Sequence, residues 1–216
     1  MVRFVEFKYI TWNVHQALRT VQFPASELLS TSNIMAYATR YPSSAQQQPT
    51  FTSPIRRRLP FEQYRPPQWH NASRQGQVHR PVCFDYPGQT RQGVSMRDLP
   101  LRGASTPIQG ANDLVLAHTG LQRVVFRIIW PGYGHVEWCR TIPVTHSNGA
   151  PITRAALGFQ IASNFVRFVE KSDYETPTSR DWMISPNCVR FEHLYLVALH
   201  NTSDDVWQAD VALDLS

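Results

Sequence analysis

The chain has 216 residues, of which 42% are hydrophobic and 17% charged, and its net charge is +5. This length is typical of one domain with an extension, or of two small domains. No apolar run approaches the roughly 20 residues of a membrane span. Arg3, Glu6 and Lys8 interrupt the beginning of the chain, which excludes a signal peptide there. We therefore expect an intracellular protein, cytoplasmic or nuclear, without membrane association.

The first forty residues form the first segment of the chain. Residues 2–14 are rich in β-branched and aromatic side chains and contain neither glycine nor proline, which predicts a strand. Residues 26–39 fit a short helix that has Ser26 as its cap and Glu27 in its first turn. Residues 1–40 are therefore predicted to hold a strand and a short helix.

Residues 41–110 have a different composition. They carry nine arginines against Glu62, Asp85 and Asp98, a balance of +6, and they are rich in proline and glutamine. Their pattern keeps neither the period of a strand nor that of a helix, and isolated aromatic residues lie between the prolines. Such a segment buries too little apolar surface to offset about 1–2 kcal/mol of backbone ordering per residue. The composition predicts a disordered, low-complexity basic linker.

Residues 111–216 are predicted to form the folded domain. Residues 123–144 alternate between apolar and polar on both sides of Pro131-Gly132, which predicts a β-hairpin with a type II turn. Thr153 is a suitable N-cap for a helix over residues 154–171, which carries a broad apolar stripe. Residues 193–200 are apolar on both faces, as in a central strand, and residues 207–215 alternate as a half-buried strand.

This order of elements predicts the α+β class. We expect a small, mainly antiparallel sheet with one principal helix, residues 154–171, packed on one face and the disordered segment preceding it. Among the side chains, Phe165 in the helix is expected to cover the core.

Three potential metal ligands alternate along the second strand of the hairpin. His135, Glu137 and Cys139 would point to the same side of that strand and could converge on an ion such as Zn²⁺. No fourth ligand is specified, so a solvated strand face is the simpler interpretation of these residues, and no metal or other cofactor is assigned. The three cysteines, Cys83, Cys139 and Cys188, are too few and too widely spaced for a disulfide framework.

The strongest binding feature of the sequence is a set of arginines interleaved with aromatic residues. Arginine can hold phosphates while aromatic rings stack on unpaired bases. A solvated tail is the simpler interpretation of the same composition. The candidate binding residues, with one tyrosine from the hairpin turn, are Arg56, Arg57, Arg58, Arg65, Trp69, Arg74, Arg80 and Tyr133.

The second half of the chain contains a set of short motifs: Trp130-Pro-Gly-Tyr133, Glu137-Trp138, Ile152-Thr-Arg154, Arg190-Phe-Glu192 with Leu194, Leu196 and Ala198, and Trp207-Gln-Ala-Asp210. This set resembles a group of uncharacterised proteins of mushroom-forming (basidiomycete) fungi. The resemblance covers about residues 112–215 and implies a fungal domain without supplying catalytic residues.

The sequence does not identify a reaction, because common nucleophile, zinc-protease and phosphate-loop motifs are absent. It favours a non-enzymatic protein-interaction module with a flexible basic arm, and hence a protein partner. The alternatives are nucleic-acid or polyanion binding through the arginine-rich segment, and a metal-dependent enzyme that uses the His/Glu/Cys strand face. The oligomeric state is not predicted.

Overall fold

The computed structural model describes residues 51–65, 79–102 and 106–215. The predicted strand and short helix within residues 1–40 lie outside these ranges. The described ranges belong to one compact unit, which comprises residues 51–216. None of the helices in the described ranges has the length and apolarity needed to cross a membrane.

Seven strands and two α-helices form the secondary structure of the described ranges. The strands are β1 (Arg56–Arg58), β2 (Val82–Cys83), β3 (Val94–Ser95), β4 (Arg123–Ile128), β5 (Trp138–Pro143), β6 (Leu194–Ser203) and β7 (Val206–Asp214). The helices are α1 (Asp98–Arg102) and α2 (Arg154–Ser172), and short 3-10 turns cover Ala117–Thr119 and Phe191–His193.

These strands form one mixed sheet in the order β2-β6-β7-β4-β5, in which β1 also pairs with β7 and β3 with β6. Every pair is antiparallel except β4 with β7. The first residues of β7 pair with β4 and its last residues pair with β1, so both lie on the same side of β7. The prediction of an α+β fold with a mainly antiparallel sheet is confirmed.

The predicted hairpin is present, but its strands are shorter than the sequence pattern indicated. Tyr133 N–H donates to Trp130 O at 3.0 Å, and Gly132 has φ +83°, as the predicted turn requires. A second turn follows at once, because Val136 N–H donates to Tyr133 O at 2.8 Å. The second strand therefore begins at Trp138, and residues 133–137 belong to the connection.

The principal helix begins and ends within one residue of its predicted bounds. Thr153 Oγ1 accepts a hydrogen bond from Ala156 N–H, which caps the first turn. Phe165 is 1% exposed, and its ring lies 6.1 Å from that of Phe126 in the sheet. The apolar stripe of α2 therefore covers one face of the sheet, as predicted.

The prediction that residues 41–110 form a disordered linker is wrong for the part that the structure describes. Strand β1 and the two short strands after it pair with the last two strands of the sheet. Several apolar side chains of this segment are buried in the same core as α2. They are Leu59, Val82, Phe84, Val94, Met96, Leu99 and Ile108. The domain therefore does not begin at Ala111, because part of its core and sheet precedes that residue.

The opposite face of the sheet is polar, and we call it the polar face. Alternation along β7 directs Trp207 and Val211 toward α2 and directs Gln208, Asp210 and Asp214 away from it. Residues 61–64 cross this polar face after β1, where Tyr64 N–H donates to Gln208 Oε1 and Gln208 Nε2 donates to Glu62 O. The polar face is thus covered by an extended segment held by polar contacts rather than by a second helix.

Candidate functional site

Two of the candidate arginines are occupied by ion pairs on the polar face. Arg56 lies 3.1 Å from Asp214, and Arg58 lies 3.3 Å from Asp210 (each an Nη2–Oδ2 distance). The side chain of Arg56 is 11% exposed, and its guanidinium lies 3.8 Å from the ring centroid of Tyr195. These two arginines hold β1 on the sheet, so their charges are neutralised within the fold.

The remaining candidate arginines are dispersed. Arg57 points to the other side of β1 and is exposed, as are Arg65 and Arg80. Trp69 and Arg74 lie outside the described residues. The prediction of nucleic-acid or polyanion binding stays a prediction, now without Arg56 and Arg58.

Tyr133 is not a surface contact. It is 1% exposed, and its hydroxyl accepts a hydrogen bond from Ile184 N–H at 3.0 Å. Trp130, also in the turn, donates its indole N–H to Trp182 O at 2.8 Å. The aromatic residues of this turn anchor the connection that follows α2, and the prediction of Tyr133 as a binding residue is corrected accordingly.

The three metal-ligand candidates do not converge. His135 lies in the turn before β5, where its Nε2 is 3.8 Å from Glu175 Oε2. Glu137 pairs with Arg127 at 3.3 Å, and Cys139 lies in β5. No cluster of three His, Cys, Asp or Glu side chains suited to a metal occurs among the described residues. The reason is the second turn, which removes His135 from the strand.

The cysteine thiol of β2 is not an activated nucleophile. Burial raises the pKa of the Cys83 thiol, and the carboxylate of Asp85 adds to that shift. A raised pKa keeps the sulfur protonated near neutral pH, whereas a catalytic cysteine requires the thiolate. Cys83 therefore gives no support to nucleophilic catalysis.

Strand β5 forms an open edge of the sheet. It is the last strand in the order, and no other strand of the described ranges pairs with it. Arg140, Thr141 and Pro143 are exposed, whereas Trp138 and Ile142 are buried toward the core. At six residues, β5 is longer than the two-residue strands on the opposite edge, β2 and β3.

The hydrogen-bond pattern fixes which peptide groups of β5 are free. Val144 N–H donates to Gln122 O at 2.9 Å, and Val125 N–H donates toward β7, to Asp205 O at 2.8 Å. Since bonding direction alternates along an antiparallel pair, residues 138, 140 and 142 bond to β4. The peptide groups of Cys139, Thr141 and Pro143 therefore point away from the sheet.

An open groove of about 450 Å³ lies beside this edge. The loop that follows β5 forms one wall, and it is closed by two backbone hydrogen bonds, from Gly149 N–H to His146 O and from His146 N–H to Ala150 O. The groove is lined by Gln122, Arg123, Thr141, Pro143, Thr145, His146, Ser147 and Gly149.

The lining of the groove carries positive charge without a carboxylate. Arg123 and His146 are exposed, and neither forms an ion pair with another residue of the described ranges. We call the outward peptide groups of β5 and this groove the β5 edge site. It combines main-chain donors and acceptors with a cationic surface.

The residues of this site carry almost no signal in the sequence. Arg123 and His146 stand in no motif, and Thr141 contributes through its backbone. One signal was present, because Pro143 within a strand indicates an edge position. Comparisons with family models, curated proteins and solved structures found no match.

Proposed function

We propose that this domain is a protein-interaction module that binds an extended segment of another protein as an added strand beside β5. The observation that carries the proposal is the open edge of β5, where the peptide groups of Cys139 and Thr141 face outward. Strand addition is a common mode of peptide recognition, in which main-chain hydrogen bonds supply affinity and side-chain pockets supply specificity.

The exposed edge supplies a small, defined set of hydrogen bonds. Cys139 and Thr141 each offer an N–H group, whereas Pro143 offers only its carbonyl. The Cys139 carbonyl already accepts a bond from the Arg140 guanidinium at 2.8 Å. At about 0.5–1.5 kcal/mol for each main-chain bond, this edge alone gives modest affinity, and the neighbouring groove adds to it.

Two features restrict indiscriminate pairing at the same edge. Pro143 cannot donate a hydrogen bond, and Arg140 places a charge beside the strand, as natural edge strands commonly do. Both leave Thr141 free. The edge therefore favours a short bound segment over the long pairing that leads to aggregation.

The test is a selection of displayed peptides on the full chain, followed by affinity measurements with two variants. Thr141→Pro removes an outward N–H without removing a bond to β4, and it should abolish binding of the selected peptides. Thr141→Val keeps the N–H and should retain binding. Circular dichroism melting of both variants checks that they fold.

A second arm changes the peptide instead of the protein. N-methylation of the alternate residues whose N–H groups face β5 should abolish binding. Methylation of the residues whose N–H groups face away from β5 should not. If both methylated series and Thr141→Pro bind normally, or if no peptide is enriched, strand addition at β5 is wrong.

A further inference from the structure

We infer that the segment bound at β5 carries an anionic side chain, a carboxylate or a phosphate, that is held in the groove by Arg123 and His146. This inference rests on the proposed function, because the groove borders the same strand edge. The ligand class it names is an extended acidic peptide.

Charge is the first argument. Of the eight residues that line the groove, Arg123 is a permanent cation, His146 can donate a ring N–H, and none is acidic. No carboxylate within the described ranges compensates Arg123. A guanidinium with five donors matches the planar oxygens of a carboxylate or the oxygens of a phosphate.

Register is the second argument. Arg123 is the partner of Pro143 across the β4–β5 pair. Thr141 lies two residues before Pro143 in β5, on the same face of the sheet as Arg123. An added strand would lie about 10 Å from β4, two strand spacings away. The side chains of Arg123 and of a glutamate on that strand span this distance together.

The loop after β5 gives the third argument, because its own hydrogen bonds define its shape without a ligand. Asn148 Oδ1 accepts a hydrogen bond from Ala150 N–H at 3.0 Å, and Gly149 has φ +82°. This turn holds His146 among the residues that line the groove. A site that is already ordered loses less entropy on binding.

The charge of Arg140 argues against a second copy of the chain as the segment bound at β5. An antiparallel pairing centred on Arg140 would place that residue directly opposite its own copy, and like charges in this position destabilise a sheet. Glu137, the acidic residue next to β5, is already paired with Arg127 at 3.3 Å. An acidic partner segment complements this surface better.

The experiment uses the selected peptide that binds most tightly and whose binding requires the Thr141 N–H. Each position of this peptide is replaced in turn by Glu, phosphoserine, Gln or Lys. At one position, Glu or phosphoserine should bind about tenfold more tightly than Gln, and Lys more weakly. The relative affinity of the Glu and phosphoserine peptides identifies the source of the charge. The preference should shrink at high salt, since exposed charges are screened.

Arg123→Gln is the decisive variant, and Arg167→Gln on the outer face of α2 is its matched control. Arg123→Gln should remove the acidic preference while the Gln peptide binds as before, and Arg167→Gln should change neither. The inference is overturned if Gln and Glu peptides bind equally, or if the preference survives in Arg123→Gln. Those outcomes leave strand addition intact. Normal peptide binding by Thr141→Pro, in contrast, contradicts the proposed function itself.

Discussion

Arg58 Nη2 lies 3.3 Å from Asp210 Oδ2 on the polar face of the sheet, where the two side chains are 18% and 9% exposed. The two residues are separated by most of the folded chain. Their contact joins β1 to β7 and makes an arginine triplet part of the fold. His200 Nε2 lies 3.8 Å from the same Asp210 oxygen.

Arg58→Ala should destabilise the domain by about 3 kcal/mol, because it leaves the Asp210 carboxylate buried without its main partner. Urea unfolding measures this loss. The neighbouring Arg57→Ala is the control, since Arg57 is exposed, and it should change stability by no more than about 0.5 kcal/mol. Equal effects of the two substitutions would show that the ion pair does not hold β1.

A fragment that begins at Asn112 should not fold, whereas residues 51–216 should. The shorter fragment lacks buried side chains such as Phe84, Met96 and Leu99, which are 0–1% exposed. Burial of each such side chain contributes about 1.5–3 kcal/mol, and total domain stability is only about 5–15 kcal/mol. Dispersed amide signals in an NMR spectrum of the short fragment would contradict this expectation.

Gly93→Ala should be much more damaging than Gly88→Ala. Both glycines have a positive φ, +79° and +78°, so alanine costs about 1 kcal/mol of backbone strain at either position. At Gly93, however, the added Cβ would lie 2.9 Å from Leu196 O, where β6 passes, whereas Gly88 faces open space. Thermal melting of the two variants compares them directly, and similar melting temperatures would mean that Gly93 does not approach β6.

Stability should fall with acidification partly because of His193. Burial, and then the neighbouring Arg190 guanidinium, lower the pKa of His193. Its Nδ1 accepts a hydrogen bond from Arg190 N–H, which requires an unprotonated nitrogen. The unfolded chain therefore binds the proton more tightly, and stability is lost as pH falls below about 6.5 through the lowered pKa.

Unfolding measured between about pH 8 and pH 5 tests this effect, with His193→Gln as the comparison. Glutamine cannot take up the proton, so the variant should lose less stability across this range than the original chain. Parallel curves for the two proteins would contradict the assignment.

Local patterns predicted the elements whose signals are local. The period of residues 154–171 and the cap at Thr153 located α2 within one residue, and Pro131-Gly132 located the turn. The strand β1 carries no such signal, because Arg56 and Arg58 look solvated until Asp214 and Asp210 are brought opposite them. A pairing partner more than 150 positions away in the sequence cannot be read from local composition.

The candidate site shows the same limit. The proposed role of Thr141 depends on a peptide group whose direction follows from the register of the β4–β5 pair, and that of Arg123 depends on the loop containing His146, which lines the same groove. The predicted metal ligands failed for a related reason. The apolar–polar alternation of the sequence continues through Val136, although a turn ends at this residue and β5 begins only at Trp138.

Amide hydrogen exchange along β5, with and without a selected peptide, tests strand addition most directly. In the free protein, the amides of Arg140 and Ile142 should exchange slowly because they bond to β4, and those of Cys139 and Thr141 should exchange rapidly. Bound peptide should slow the exchange of Cys139 and Thr141. Unchanged rapid exchange at both amides under saturating peptide would contradict the account.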